Sequence, residues 1–241
     1  MSRAVSIDPK AAPGLEIPPL VAGDHLTRAE FERRYRAMPH LKKAELIEGI
    51  VYMPSPVSHD DHGAPHFDLI TWAGIYRAFT PGVQGGDNST LHLDLDNEAQ
   101  PDAHLRILPE CGGQSRTVGG YVERAPELVA EVSASSASYD LHEKLKAYRR
   151  NGVREYVVWR VWDKSIDWFA LRAGQFEPLP PDAAGIFRSE CFPGLWLDAA
   201  ALLRGDLARV VQVVQQGVAT PEHSAFVARL AAARRSGEQP A

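Results

Sequence analysis

Asp102, Glu131 and Lys144 are the residues whose types and spacing best suit the hydrolysis of a phosphodiester bond. Glu131 lies inside the apolar run at 128–132, where a buried carboxylate is unfavourable unless a partner compensates its charge. Two acids on neighbouring strands can hold Mg²⁺, whose preferred ligands are carboxylate oxygens, water and phosphate. Such a metal ion positions a water and lowers its pKa, and a nearby lysine can deprotonate that water or stabilise developing negative charge.

Taken singly, each of these residues also has an ordinary structural interpretation. An acid in a strand can face solvent or pair with an arginine, and an Asp that follows a proline is typical of a turn. Lys144 falls in a predicted helix, about 60° from the centre of an apolar stripe formed by Leu141, Leu145 and Tyr148. A flanking lysine of this kind is typical of a surface position at which the aliphatic stem covers apolar neighbours.

A series of short motifs surrounds these residues in a fixed order along the chain. They are AELIEGIVY at 44–52, MPSP at 53–56, His62, QPD at 100–102, PELVAEVS at 126–133, SYDLHEKL at 138–145 and YRRNGVREY at 148–156. The series resembles the bacterial "putative restriction endonuclease" family of the PD-(D/E)XK nuclease superfamily. The resemblance covers about residues 25–200, and its most specific part is the run from 126 to 159.

The resemblance implies a metal-dependent DNA endonuclease that uses Mg²⁺, with Mn²⁺ as an alternative. It assigns Asp102 and Glu131 as metal ligands, with Glu45 as an upstream acid at the same metal site. Ser133 stands where the superfamily's lysine usually follows the second acid, and Lys144 takes the place of that lysine from a helix. Whether Lys144 acts as a base or as an electrostatic stabiliser stays open, as does the effect of a Gly-rich insertion around 111–120.

Glu48 competes with Glu45 for the role of upstream acid. Residues i and i+3 of a strand face opposite sides, so only one of the two can point at the metal. The motif match selects Glu45 and places Glu48 at the turn before Gly49.

A polar run, His59, Asp60, Asp61, His62 and His66, offers a second group of metal-ligating side chains. His62 and His66 are four residues apart, which on one helix would suit Zn²⁺. Capping and solvation at the start of a helix are the alternative, because no third ligand lies at suitable spacing. The resemblance makes His62 a neighbour of the active site.

The elements that must position these residues follow from periodicity and punctuation. A flexible arm is expected at 1–24, a nuclease-like domain at 25–200 and a helical C-terminal extension at 201–241. Helices are predicted at 27–37, 64–79 and 141–150, the last opened by a capping box of Asp140 and Glu143. Hairpins are predicted at 44–53 and 156–171, strands at 91–95, 101–108 and 127–132, and a loop at 109–123. The fold class is α/β, with a mixed β-sheet core flanked by helices and a helical C-terminal addition.

Composition sets limits on the function. A net charge of −5 disfavours a protein that coats nucleic acid, although a nuclease can combine acidic metal ligands with a local basic patch such as Arg149, Arg150 and Arg154. No apolar run is long enough to cross a bilayer, no signal peptide is recognisable and two cysteines make no disulfide framework, so a cytoplasmic setting is expected.

Two further hypotheses remain beside the endonuclease. One is a catalytically silent module that binds nucleic acid or protein on the same fold, and the other is a metal-dependent hydrolase of a small phosphoester. An apolar stripe between Leu202 and Val214 also suggests a homodimer, which would suit cleavage of two strands.

Overall fold

The computed structural model describes residues 17–53, 58–134 and 136–237, so part of the motif at 53–56 lies outside the described residues. The strands are β1 Glu45–Ile47, β2 Ile50–Tyr52, β3 Val83–Asp87, β4 Leu91–His92, β5 Glu98–Ala99, β6 Ala103–Ile107, β7 Arg116–Val118, β8 Tyr121–Glu123, β9 Leu128–Ser133, β10 Glu155–Arg160, β11 Ser165–Arg172, β12 Gln175–Pro178, β13 Ile186–Arg188 and β14 Trp196–Asp198. The α-helices are α1 Arg28–Arg36, α2 Ala64–Ala78, α3 Ala137–Tyr139, α4 Leu145–Asn151, α5 Ala199–Leu203, α6 Leu207–Val218 and α7 Pro221–Gly237. π-Helical turns, His59–Gly63 and Asp140–Lys144, lead into α2 and α4.

The larger sheet has the strand order β12-β11-β10-β9-β6-β3. Strands β9 and β10 run parallel, whereas the other neighbours are antiparallel, which confirms the predicted mixed sheet flanked by helices. Every residue of β9 is buried, because helices cover both faces of the strand. Side chains alternate along the strand, so Leu128, Ala130 and Val132 enter one core while Val129 enters the other.

A second sheet, with the order β2-β1-β5-β4-β8-β7, carries the predicted hairpin at 44–53. The prediction of one sheet was therefore incomplete. Glu48 and Gly49 both have positive φ, 53° and 76°, which matches the two-residue turn of this hairpin. The expected loop at 109–123 was also wrong, because β7 and β8 form a hairpin about Gly119 and Gly120.

The C-terminal addition is helical, as predicted, but its apolar stripe has a different use. Val210, Val213 and Val214 of α6 are fully buried, and Val210 and Val214 join the core that contains Trp72 of α2. The stripe packs against the core of the same chain, because helices cover this face of the larger sheet. It therefore gives no support to the predicted homodimer, which stays a prediction.

Residues 17–25 pack against the hairpin of β1 and β2. Gly23 N donates to Val51 O at 2.8 Å, Val51 N donates to Asp24 O at 2.9 Å, and Leu20 is buried. The rest of the predicted flexible arm, 1–16, lies outside the described residues. The division into three domains stays a prediction. None of the described helices combines the length and apolarity needed to cross a bilayer.

Candidate active site

The four residues that the sequence grouped meet in one buried cluster although they come from four parts of the chain. Glu45 begins β1, Asp102 immediately precedes β6, Glu131 lies within β9, and Lys144 ends the second π-helical turn. Lys144 Nζ lies 2.9 Å from Glu131 Oε1 and 3.2 Å from Glu45 Oε1. All four residues are at most 5% exposed. These ion pairs are therefore shielded from water and are stronger than pairs on the surface.

The register of β6 and β9 explains why two of the acids are neighbours. Ala103 pairs with Ala130 in this antiparallel ladder, so Asp102 lies beside Glu131. The Asp102 backbone N–H donates to Glu131 Oε2 at 3.4 Å, and the Val132 N–H donates to Asp102 Oδ2 at 2.8 Å. The position of each carboxylate is thus fixed by the backbone of the strand that carries the other.

Asp102 faces two basic side chains on the outer side of the cluster. His62 Nε2 lies 3.2 Å from Asp102 Oδ2, and Lys43 Nζ lies 3.8 Å from Asp102 Oδ1. Burial raises the pKa of Asp102, but the His62 hydrogen bond and the Lys43 charge outweigh this effect and lower the pKa to about 2. Asp102 is therefore ionised at neutral pH, and half-buried basic groups border it.

Glu131 lies deeper and in a more negative environment. Tyr148 Oη donates to its Oε1 at 2.9 Å, the same oxygen that Lys144 contacts. Burial raises the pKa of Glu131, and the nearby Asp102, Asp140 and Glu45 add to the rise, while Lys144 opposes it. A cation bound beside Glu131 would lower that pKa again.

The helical segment that carries Lys144 differs from the prediction. The capping box was wrong, since α3 begins at Ala137 and the Asp140 carboxylate turns inward instead of capping a helix. Asp140 Oδ2 accepts hydrogen bonds from the hydroxyls of Ser133 and Ser136, and its Oδ1 lies 3.6 Å from Lys144 Nζ. Ser133 occupies the strand position where the superfamily's lysine usually stands, and it is linked to Lys144 through Asp140.

Lys144 lies at the centre of the buried helix face, not on the predicted flank. Lys144 and Tyr148, spaced i and i+4, both reach Glu131, whereas Leu141 and Leu145 are only half-buried. Burial lowers the pKa of Lys144, but Glu131, Glu45 and Asp140 outweigh it and raise that pKa well above the usual value. The side chain is therefore a permanent cation at neutral pH.

Glu48 has no place in this cluster. It lies at the turn between β1 and β2, where its carboxylate pairs with Arg150 at 2.9 Å, and Arg150 also pairs with Asp94 at 3.0 Å. Part of the predicted basic patch is therefore engaged within the chain: Arg149 and Arg154 donate to glutamine side chains, those of Gln175 and Gln114.

The two histidines of the polar run approach Asp102 from the start of α2. His62 contacts the carboxylate, whereas His66 Nε2 lies 3.0 Å from the Asp102 carbonyl oxygen and 3.1 Å from Asp87 Oδ1. Their rings are 5.5 Å apart. Within the described ranges, these histidines and their neighbouring acids do not bring three ligand atoms within 4.8 Å of one another.

The donors of the cluster are of the type that a hard divalent cation prefers, namely carboxylate oxygens. The carboxylates of Glu45, Glu131 and Asp140 lie 3.2, 2.9 and 3.6 Å from the buried Lys144 ammonium, and Asp102 lies beside Glu131. Among the described residues, no three of these acids bring their ligand atoms within 4.8 Å of one another, so Asp102 and Glu131 are the neighbouring pair that could share an ion. Sequence reasoning missed Asp140, Tyr148 and Lys43. Asp140 and Tyr148 had a sequence signal, because each lies four residues from Lys144, whereas Lys43 had none.

Comparisons with known proteins bear on the family and the fold. A family model described as "Putative restriction endonuclease" (Uma2) matches residues 28–200. A solved structure from Anabaena variabilis ATCC 29413, described as a "putative nuclease belonging to DUF820", is similar with a TM-score of 0.50. It shares 12% sequence identity, and the match covers 76% of this chain and 97% of that one, which supports the fold alone. A comparison with curated proteins gave no match.

Proposed function

Because the chain belongs to the family described as "Putative restriction endonuclease", we propose that it is a divalent-metal-dependent endonuclease that hydrolyses phosphodiester bonds in DNA. One observation carries the proposal. Glu45, Asp102, Glu131 and Lys144, which lie up to 99 residues apart in sequence (144 − 45), form one buried cluster with more carboxylates than buried cations. Such an excess of negative charge is unfavourable in a protein interior unless a cation or protons neutralise it.

In this proposal Asp102 and Glu131 hold Mg²⁺ or Mn²⁺, and Glu45 contributes to the same site. When bound, the metal ion lowers the pKa of a water and neutralises negative charge on the scissile phosphate. The backbone N–H groups of Asp102 and Val132 fix the two carboxylates, so their geometry is set before substrate arrives.

In this proposal Lys144 acts as an electrostatic stabiliser. Its ammonium lies 2.9 Å from Glu131 Oε1 and 3.2 Å from Glu45 Oε1, and these carboxylates favour the protonated form of the lysine. Tyr148 shares Glu131 Oε1 with Lys144 and holds that carboxylate in place. His62 and Lys43, whose side chains are 19% and 26% exposed, border Asp102 on its outer side and are placed to meet a backbone phosphate.

The test compares plasmid and single-stranded DNA cleavage by the full chain across a titration of Mg²⁺ and of Mn²⁺. Asp102→Asn and Lys144→Gln are expected to lower the cleavage rate by at least about a hundredfold, as the removal of one transition-state contact commonly does. Lys146→Gln is the matched control, because Lys146 lies about half a helical turn from Lys144 and so points away from the cluster. Its side chain is 57% exposed and pairs with Glu143.

Equal cleavage by wild type, Asp102→Asn and Lys144→Gln would contradict the site. Absence of metal binding together with absence of cleavage would favour the silent binding module. Hydrolysis of a small phosphoester without cleavage of DNA would favour the third hypothesis.

A further inference from the structure

A second group of possible metal ligands lies outside the proposed active site, on the smaller sheet. Glu32 of α1, His92 of β4 and Glu98 of β5 each place one ligand atom within 4.8 Å of the others. Among the described residues, no other three histidine, cysteine or carboxylate side chains bring their ligand atoms this close together. All three line a cavity of about 290 Å³, whose wall also includes Gln100 and Tyr121.

Glu98 supplies the observation that points to a ligand. The residue is only 3% exposed, and among the described residues its Oε2 has no hydrogen-bond partner. The nearest basic group is His92 Nε2, at 3.6 Å. A buried carboxylate normally accepts several hydrogen bonds, as Glu127 does from the backbone N–H groups of Ile107 and Gln114. Glu98 faces the cavity without such donors, so a cation there would satisfy it.

His92 is held in a form that suits coordination. Its ring stacks on Tyr121, with centroids 4.8 Å apart and planes 22° apart, so its orientation is fixed. The fixed ring holds its Nε2 3.6 Å from Glu98 Oε2, so a nitrogen donor lies beside the buried carboxylate.

Glu32 is the more accessible ligand. Its carboxylate pairs with Arg28 at 3.2 Å and with Arg36 at 2.5 Å, both at i, i+4 spacing on α1. Ion pairs between side chains that water can still reach are weak, so one carboxylate oxygen of Glu32 can exchange an arginine for a metal ion.

We propose that Glu32, His92 and Glu98 form a binding site for a transition-metal ion of the Zn²⁺ class, with a fourth position open to the cavity. One imidazole nitrogen with two carboxylate oxygens is a donor set that Zn²⁺ accepts and that Mg²⁺ does not favour. The ligands come from α1, β4 and β5, so the ion fastens α1 onto the smaller sheet. The proposal does not depend on nuclease activity.

The site is separate from the proposed active site, yet the two share a backbone segment. Gln100 lines the cavity, and its backbone N–H donates to Glu45 Oε1 at 2.7 Å.

The test uses metal-free full-length protein titrated with Zn²⁺ against a chromogenic chelator and with Co²⁺ by visible absorption. Wild type is expected to bind one equivalent of Zn²⁺ that Glu98→Gln and His92→Gln bind at least tenfold more weakly. Glu123→Gln is the matched control, because Glu123 lies on the neighbouring β8 and pairs with Arg116 at 2.8 Å. Glu131→Gln is expected to retain this equivalent of Zn²⁺.

Thermal unfolding separates loss of ligand from loss of fold. Metal-free Glu98→Gln is expected to unfold at the same temperature as wild type or higher, because it removes an unpaired buried carboxylate. Zn²⁺ is expected to raise the unfolding midpoint of wild type and of Glu123→Gln but not of Glu98→Gln. Equal Zn²⁺ affinity in all variants, loss of Zn²⁺ in Glu131→Gln, or no Zn²⁺ bound by wild type would each overturn the proposal.

Discussion

Two glutamates on neighbouring parallel strands are both fully buried, yet their surroundings are opposite in kind. Glu131 of β9 and Glu155 of β10 face opposite sides of the larger sheet, because Glu131 pairs with Val158 in the ladder while Glu155 pairs with Leu128. Glu155 accepts hydrogen bonds from Trp168 Nε1, Ser189 Oγ and two backbone N–H groups, those of Glu190 and Cys191.

Glu131 has a different set of neighbours. Its Oε1 accepts hydrogen bonds from the Lys144 ammonium and the Tyr148 hydroxyl, and three nearby carboxylates raise its pKa. The four donors of Glu155 are neutral and no other carboxylate contacts it among the described residues, so its charge is satisfied by dipoles. Burial of a charge therefore does not by itself distinguish the proposed active site from a structural glutamate. The two differ in whether neutral donors satisfy the carboxylate, as they do at Glu155.

The largest expected effect concerns activity on the Glu131 face. Glu131→Gln removes a proposed metal ligand but keeps an oxygen that can accept from Lys144 and Tyr148. Cleavage is expected to fall about a thousandfold, while the free energy of unfolding changes by less than about 1 kcal/mol because repulsion from nearby acids is relieved. Cleavage assays and urea unfolding measure the two quantities. Glu143→Gln, an exposed acid paired with Lys146, is the control and should change neither.

The sequence predicted one of these two glutamates and gave no signal for the other. Glu131 interrupts an apolar run, whereas Glu155 lies at a strand end, where an acid looks solvated. Its donors lie 13 to 36 residues away along the chain, so only the fold brings them together. Periodicity predicted the mixed sheet, and the order of the motifs predicted which four residues come together in the cluster.

The geometry around Lys144 could not be predicted from periodicity. A regular α-helix from residue 141 places Lys144 on a flank, but the π-helical turn shifts the segment before α4, so Asp140 and Lys144 face inward. Strand β4 falls within the strand predicted at 91–95, but β5 has only two residues and is too short to show alternation. The sequence therefore did not indicate that Glu98 lies beside His92.

The next largest effect concerns stability on the opposite face. Glu155→Gln, the same substitution, places an amide N–H₂ group against donors that need an acceptor. We expect a loss of about 3 kcal/mol in the free energy of unfolding, since hydrogen bonds to a charged group contribute about 1.5–3 kcal/mol each. The cleavage rate per folded molecule should be unchanged. Urea unfolding measures the loss, and Glu177→Gln is the exposed control. An unchanged stability would mean that Glu155 does not depend on its hydrogen-bond donors for stability.

The smallest effect is a difference in pH dependence between wild type and Glu131→Gln, both free of metal. Burial and the nearby acids raise the pKa of Glu131 on folding above the usual 4.5, so the folded state holds the proton more tightly. Its contribution to stability is present below pH 4.5 and is lost as the pH rises through the raised pKa. Wild type should therefore lose stability relative to Glu131→Gln as the pH rises. Urea unfolding in a chelator at several pH values measures the difference. Parallel pH profiles would show that Glu131 is no more perturbed than an exposed acid, and added Mg²⁺ should remove the slope in wild type alone.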